Sequence, residues 1–411
     1  MLLSFSFHNF RSVKSDCEID FRKMSLKQHV NTLINGEVLP VTVFYGPNGG
    51  GKSTIIMALQ YLSNLVSTPI KQFHGLSNLY MQSFKPFMLD SDSKLKPTEF
   101  CVIFTLDKES TDEYKYYIKL FENKILEESL YEKKEKGKAS LVFNRTDDKI
   151  QVGAKFSLIS PNMATNINPG IPYLSLCSII LSNSPISKVG HWFNKMGIID
   201  FGNPTMELIL PELFASFSNN IEIKKVVNEL LTKFELISGF EVVDGDINSN
   251  GNKQKIILTH HNINGNEYSL TYNEESMGTK KILQILPLLG SILKEGGVLV
   301  VDELDAKLHP KLLEFIISLF TNPEVNLEGA QLIFTSHDMY TLNNTVFRRD
   351  EIWFACKDKD ESTIVYSLGD IKGDDNRTVR ADLSFSNQYL AGKYGADPYY
   401  NKMITWSDID D

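Results

Sequence analysis

An α/β fold built on a mixed sheet is what this 411-residue sequence predicts, and three observations predict it. The apolar run Leu39 to Tyr45 breaks into a glycine-rich turn and is followed by helical apolar spacing from Ser53 to Leu65. A second apolar run, Val298 to Val301, ends in paired acids, the pattern of a strand buried on both faces. Strand and helix patterns alternate after it, as they do in layered α/β folds. With 42% hydrophobic and 23% charged residues, the chain is neither disordered nor collagen-like. At about 150 residues per domain its length suggests two to three domains.

The elements follow in order. Met1 to Phe10 is rich in apolar and aromatic residues, and Cys17 to Phe21 alternates with period two, so both read as strands. Leu39 to Tyr45 and Ser53 to Leu65 are the strand and helix around the glycine turn. Phe100 to Leu106, Tyr114 to Phe121 and Ser140 to Asn144 read as an antiparallel region. The lysine and glutamate run Tyr131 to Ser140 reads as a solvated hairpin tip. From Gly153 to Gly239 the pattern becomes helical, with Glu207 to Phe217 and Ile221 to Ile237 carrying three- and four-residue apolar spacing. Strands return at Lys255 to Thr259 and Tyr268 to Tyr272, then a helix at Thr279 to Leu293 and the buried strand Val298 to Val301. A helix at Lys311 to Phe320, a buried strand at Gln331 to Thr335, and strands at Glu351 to Ala355 and Thr363 to Ser367 complete the series. This divides the chain into 1–150, a mainly helical insert at 151–254, and 255–411.

Composition narrows the function classes. There are 42 basic and 51 acidic residues, a formal net charge of −9, which argues against nonspecific coating of nucleic acid. The longest near-apolar stretches, Ile171 to Leu181 and Ile282 to Leu293, are too short to cross a bilayer, so no membrane partner is expected. The four cysteines, Cys17, Cys101, Cys177 and Cys356, form no CxxC pair, so neither a disulfide framework nor a zinc site is encoded. His260 and His261 are adjacent in a strand and face opposite ways, which suits structural roles rather than one metal site. With no secretory leader pattern at Met1 to Ser12, the expected location is cytoplasmic.

Residues 46 to 54, GPNGGGKST, satisfy G-x-x-x-x-G-K-[ST]. Glycines let backbone N–H groups from Asn48, Gly49, Gly50 and Gly51 curl around phosphate oxygens, and the helix starting at Lys52 directs its positive end there. Lys52 reaches the β- and γ-phosphates, the Ser53 hydroxyl ligates Mg²⁺, and Thr54 completes the loop. The run GVLVVDELD delivers Asp302 and Glu303 at the carboxyl end of a strand. Asp302 is placed to hold Mg²⁺ and Glu303 to activate the water attacking ATP. Alone, such an acid pair also serves as a helix cap. Beside the phosphate loop it reads as the second half of one site.

The long separation between Lys52 and Asp302 is unusual for a simple GTPase. NEESMGTKK stands before the second motif and resembles the signature of ABC-type ATPases, in the form used by the SMC and OLD branch. Leu304 and Asp305 resemble the D-loop, Leu308-His309-Pro310 the LHP run after it, and His337 in IFTSHD the switch histidine. His8 to Ser12, HNFRS, resembles the family's opening, making Arg11 a nucleotide contact, and Gln82 is the candidate Q-loop residue. Tyr389 to Pro398, YLAGKYGADP, is similar to an element of the AbiL/RloA-type ATPases of bacterial defence loci.

This resemblance implies an ABC-type head: a P-loop mixed sheet with an antiparallel lobe and a helical insert. It implies catalytic roles for Lys52, Glu303 and His337. It also implies a head-to-tail ATP sandwich in which Ser276 and Gly278 of one subunit complete the site of another, with Asp305 nearby. A homodimer or higher oligomer is therefore expected, controlling an effector in anti-phage defence. Few residues follow Ser367, so the effector is expected to be a separate chain. The alternative is a RecF- or SMC-like repair ATPase, which keeps nucleic acid as a partner. A transporter subunit ranks last, since LSGGQ is absent.

Overall fold

The computed structural model describes residues 1–73, 85–146, 149–156, 168–201, 220–234, 237–247, 253–372, 379–380 and 383–396. Among these, three sheets form. The middle of the molecule is a six-stranded sheet around β3 (Val41–Tyr45), β13 (Val298–Asp302) and β14 (Gln331–Thr335), all fully buried. β9 (Met196–Asp200), β15 (Ile352–Lys357) and β16 (Thr363–Ser367) extend it, in the order β16-β15-β3-β14-β13-β9. Only β16 runs antiparallel. Strands buried on both faces need apolar residues throughout, which is why VTVFY, VLVVD and QLIFT carry so few polar residues.

A seven-stranded antiparallel lobe covers one side. It contains β1 (Leu2–His8), β2 (Cys17–Asp20), β4 (Thr98–Phe104), β5 (Glu113–Phe121), β6 (Lys124–Lys133), β7 (Ser140–Thr146) and β8 (Lys149–Val152), in the order β2-β1-β4-β5-β6-β7-β8. β6 and β7 are joined by the charged run, which is the hairpin tip its composition predicts. Alternation along β4 and β5 sends Phe100, Val102, Tyr116 and Ile118 into the core shared with α1 (Lys52–Phe73). α1 runs eight residues beyond the Leu65 expected from spacing, through Pro69, because Val66 and Ile70 stay on its buried face. α2 (Tyr173–Ile180) and α3 (Pro185–Trp192) pack against it.

The segment 151–254 is less separate than a helical insert suggests. Its residues 196–200 are β9, parallel to β13 with Asp200 opposite Asp302. The five residues of β9, MGIID, are too short and mixed a run to show a period that would mark a strand. α4 (Ile221–Phe234) packs on α5 (Met277–Glu295), and β10 (Gly239–Ile247) pairs with β11 (Lys253–Ile263), which pairs with β12 (Asn266–Thr271). The expected helix at Glu207 to Phe217, Gln82, and the last residues of YLAGKYGADP lie outside the described residues. α6 (Pro310–Thr321) opens with His309 as its N-cap and Pro310 in its first turn. α7 (Phe385–Leu390) lays Tyr389 on Phe354 with ring centroids 5.4 Å apart, and the Tyr366 hydroxyl donates to the carbonyl of Tyr394 at 2.5 Å. The tyrosine-rich ending thus braces the sheet beneath the glycine loop. Among the described residues no helix is long and apolar enough to cross a membrane.

Candidate active site

Register brings the chemistry to one edge. β3, β14 and β13 are parallel, with Thr335 opposite Phe44 and Phe334 opposite Val301. Their carboxyl ends therefore lie side by side, where α/β sheets place ligands. β3 delivers the loop Gly46 to Gly51, β13 delivers Asp302 and Glu303, and β14 delivers His337.

The loop rests against β15 and β16 so closely that side chains are excluded at Gly46 and Gly51. A Cβ on Gly46 (φ +152°) would meet the Ala355 carbonyl oxygen at 2.0 Å. One on Gly51 (φ +103°) would meet the Thr363 hydroxyl at 2.0 Å. Both positions require glycine for space and for conformation. Asn48 and Gly49 form the exposed tip, and the Gly50 N–H closes the turn on the Pro47 carbonyl at 3.0 Å.

Lys52 opens α1 and is 7% exposed. Its ammonium donates to the Gly46 and Pro47 carbonyls at 2.9 and 3.1 Å, and among the described residues no carboxylate pairs with it. Burial lowers its pKa from the ordinary lysine range, while the charges of Asp302, Glu303 and Asp305 act in the opposite direction. Those three acids and Lys52 therefore share one electrostatic environment. The partly buried Ser53 stands next to Lys52, whereas Thr54 turns its hydroxyl to Ser12 Oγ at 2.7 Å. Ser12 also takes part in a hydroxyl contact with Thr363 at 2.8 Å, and Thr363 Oγ1 donates to the Gly50 carbonyl at 3.1 Å. Arg11, next to Ser12, has left-handed backbone (φ +50°) and its buried Nε has no hydrogen-bond partner. Its guanidinium lies 5.8 Å from the Phe10 ring centroid.

Asp302 is buried and its Oδ1 accepts from Thr335 Oγ1 at 2.5 Å. The same Thr335 oxygen accepts the Glu303 N–H at 2.8 Å. Glu303 is exposed and takes φ +53°, a conformation that costs a non-glycine residue about 1–3 kcal/mol and persists only where neighbours enforce it. Asp305 Oδ2 accepts the His337 N–H at 3.0 Å, and its Oδ1 is buried without a partner. Protein packed around the His337 ring lowers its pKa, and the Lys52 charge lowers it further. The charges of Asp305, Glu303 and Asp302 act in the opposite direction.

Ser276 is exposed and caps α5, accepting the Thr279 N–H at 3.2 Å and contacting Thr279 Oγ1 at 2.9 Å. A Cβ on Gly278 would stand 3.4 Å from the Lys307 carbonyl, so the first turn of α5 lies against the turn after Asp305. Ser276 is thus grouped with that turn rather than bonded to the glycine loop. Just before it, Glu275 accepts from Thr259 Oγ1 at 2.5 Å and contacts His261 Nε2 at 2.8 Å, while His260 Nδ1 faces Ser269 at 3.0 Å. The two histidines face opposite ways, and His261 ties the sheet β10-β11-β12 to the start of α5.

Sequence reading missed Thr335, Thr363, Ala355 and Lys281, since each acts through contacts distant in the chain. Ser12, in HNFRS, stands one residue after Arg11, and its hydroxyl contacts with Thr54 and Thr363 are the link from this motif to the loop.

Two domain families match the chain. One, described as "AAA domain", matches residues 4–159, and the other, described as "AAA domain, putative AbiEii toxin, Type IV TA system", matches residues 179–343. The two halves are thus each similar to AAA-type ATPase domains. No curated protein matches the chain. Among solved structures, it is similar to the SMC head domain from Thermotoga maritima at 13% identity, covering 89% of this chain and 98% of that one, with a TM-score of 0.39. It is also similar to an SmcHead bound to the C-winged helix domain of ScpA, at 12% identity over 89% and 97% with a TM-score of 0.42. A third is an Smc head domain with an extended coiled coil bound to the C-terminal domain of ScpA, from Pyrococcus furiosus. It shows 11% identity over 89% and 96%, with a TM-score of 0.37.

Proposed function

We propose that this chain binds ATP with Mg²⁺ at the carboxyl ends of β3, β13 and β14 and hydrolyses it, each site completed by a second copy. The observation that carries the reading is Lys52: a buried cation held, among the described residues, by two carbonyls, within the field of three acids, at the start of a helix. Burying a charge without a contacting anion is costly, since the three acids act on it only through space, and an arriving polyphosphate supplies the direct partner.

The residues present fit Mg²⁺. The Ser53 hydroxyl and the Asp302 carboxylate are hard oxygen donors of the kind that ion takes, alongside substrate phosphates. Among the described residues no cluster of three or more His, Cys, Asp or Glu could hold a metal alone, as suits an ion that arrives with its nucleotide. Bound there, Mg²⁺ supplies charge neutralisation on the transferring phosphoryl group.

The chain's residues do the rest. Lys52 exchanges the Gly46 and Pro47 carbonyls for the β- and γ-phosphates, and the loop N–H groups hold the phosphate oxygens. Glu303 orients a water and accepts its proton as the water oxygen bonds to the γ-phosphorus. The bond from that phosphorus to the bridging oxygen breaks, and its electron pair leaves on ADP. His337 contacts the γ-phosphate, and Ser276 and Gly278 of a second copy close over it with the N-terminus of α5. Arg11 contributes from the lobe side. We place this cycle in defence against phage, acting on a separate effector. The resemblance of YLAGKYGADP and the toxin–antitoxin wording of the family matching 179–343 support that setting.

Light scattering on Glu303→Gln with ATP·Mg²⁺ tests the core of the proposal. A mass that doubles with ATP but not ADP is expected. A mass unchanged by saturating ATP would remove the sandwich. Co-purification with the products of neighbouring genes tests the effector.

A further inference from the structure

Lys281 is buried where the mechanism so far has no use for it. It sits in the second turn of α5, five residues after Ser276, and is 5% exposed. Its ammonium donates to the Glu303 carbonyl at 2.6 Å and to the Ala306 carbonyl at 2.7 Å, and lies 4.0 Å from the Phe201 ring centroid. Phe201 directly follows β9, so the aromatic wall of this site comes from the edge strand that sequence reading missed. Burial lowers the Lys281 pKa to about 8, with Asp305 and Glu303 opposing and Lys307 reinforcing the shift.

Keeping a cation in so enclosed a place calls for compensation, and two carbonyls plus a ring face provide it. What they fix is the turn bearing the proposed general base. Glu303 has left-handed backbone, and the peptide groups on both sides of it are pinned. Thr335 Oγ1 takes its N–H, while Lys281 and the Ala306 N–H both reach its carbonyl. Thr335 holds Glu303 from β14. Lys281 holds it from the helix whose first residues face outward.

We propose that Lys281 is a positioning residue that sets Glu303 in its own subunit and ties the setting of that base to the position of α5. In a sandwich the start of α5 serves the neighbouring site, so this one side chain links the two sites of a dimer. The inference rests on the reading of Glu303 as general base and of Ser276 as a group acting in trans.

Lys281→Met, of similar length and without charge, tests it. ATP affinity stays within about threefold, since Lys281 touches no part of the glycine loop, while kcat falls about 100-fold through the misplaced base. In a Glu303→Gln background the same change lowers the residual single-turnover rate by less than threefold, because Lys281 acts only through that carboxylate. A full 100-fold further loss there, or an unchanged kcat in the single variant, overturns the proposal. Lys281→Gln, which keeps one donor, gives an intermediate kcat and serves if the Met variant does not fold.

Subunit mixing then separates cis from trans. Mixed with Ser276→Arg, Lys281→Met regains activity, because one composite site has an intact base and an intact signature. Mixed with Lys52→Ala it does not, because the only site with a working phosphate loop carries the misplaced base. The reverse pattern places Lys281's effect on the signature side and overturns the cis assignment. Failure of the separate Ser276→Arg and Lys52→Ala pair to rescue each other would count against the sandwich alone, leaving the kcat and background tests to decide Lys281.

Discussion

Two buried charges, one in the antiparallel lobe and one at the end of the central sheet, are treated in opposite ways. Glu128 on β6 is fully buried and accepts from the Tyr173 N–H at 2.7 Å, the Leu174 N–H at 2.9 Å and the Tyr116 hydroxyl at 3.0 Å, with Arg145 at 3.7 Å. Every partner comes from the chain itself, and the product is a fixed joint between the lobe and the start of α2. Lys52 is nearly as buried, yet its partners are two neutral carbonyls of its own loop. Asp305 Oδ1, also buried, has none. Where this chain needs rigidity it completes a polar network. At the carboxyl ends of β3, β13 and β14 the described residues leave Lys52 without a contacting carboxylate and Asp305 Oδ1 without a partner, the pattern on which the proposed nucleotide site rests.

The sharpest way to break that contrast is Glu303→Gln. An amide cannot accept the water's proton, so phosphate release should fall by roughly 10²- to 10⁴-fold while ATP binding persists. Hydrolysis near the wild-type rate would remove Glu303 from the role. Lys52→Ala should weaken ATP binding by about 10- to 100-fold, the loss of a charge-assisted contact worth about 1.5–3 kcal/mol. Calorimetry showing unchanged affinity would count against the loop. The same variant should leave the nucleotide-free fold as stable or more so, because it removes a buried cation that no carboxylate contacts among the described residues.

Glu128→Ala should do the reverse. It strands Arg145 and two helix N–H groups, and denaturant unfolding should show a loss of about 3–5 kcal/mol. A loss below 1 kcal/mol would mean the joint is not what holds lobe to helix. The smallest effect concerns His337. Burial and the Lys52 charge both depress its pKa, so an NMR titration of its ring should place the midpoint below 6.5. Lys52→Met should move it upward, since a neighbouring positive charge no longer opposes protonation. A midpoint unchanged by that substitution would separate the two residues electrostatically.

How much of this was legible follows from how local each signal is. The glycine loop is written in nine consecutive residues because its physics is local: backbone N–H groups, space and a helix start. Asp302 and Glu303 were visible because a strand buried on both faces announces itself and its end is then known. β9 was hidden because a five-residue run such as MGIID acquires meaning only from its pairing with β13, about a hundred positions away. Thr335, Thr363 and Lys281 were hidden for the same reason. A threonine or lysine in a helix or strand says nothing of which distant carbonyl or hydroxyl it will meet. Spacing predicts the helix α5 with Ser276 at its opening, but only the fold shows that helix lying on the turn after Asp305.

Mixing Ser276→Arg with Lys52→Ala tests the central claim most directly. Each variant alone should be nearly inactive, one because a bulky cation fills the space of the γ-phosphate in its neighbour's site, the other because it cannot hold ATP. In the proposed sandwich, a mixed dimer contains one site with Lys52, Asp302 and Glu303 from the first subunit and Ser276 and Gly278 from the second. Phosphate release from that mixture should recover to a substantial fraction of the wild-type rate. Freely exchanging, folded subunits that show no recovery would contradict the account.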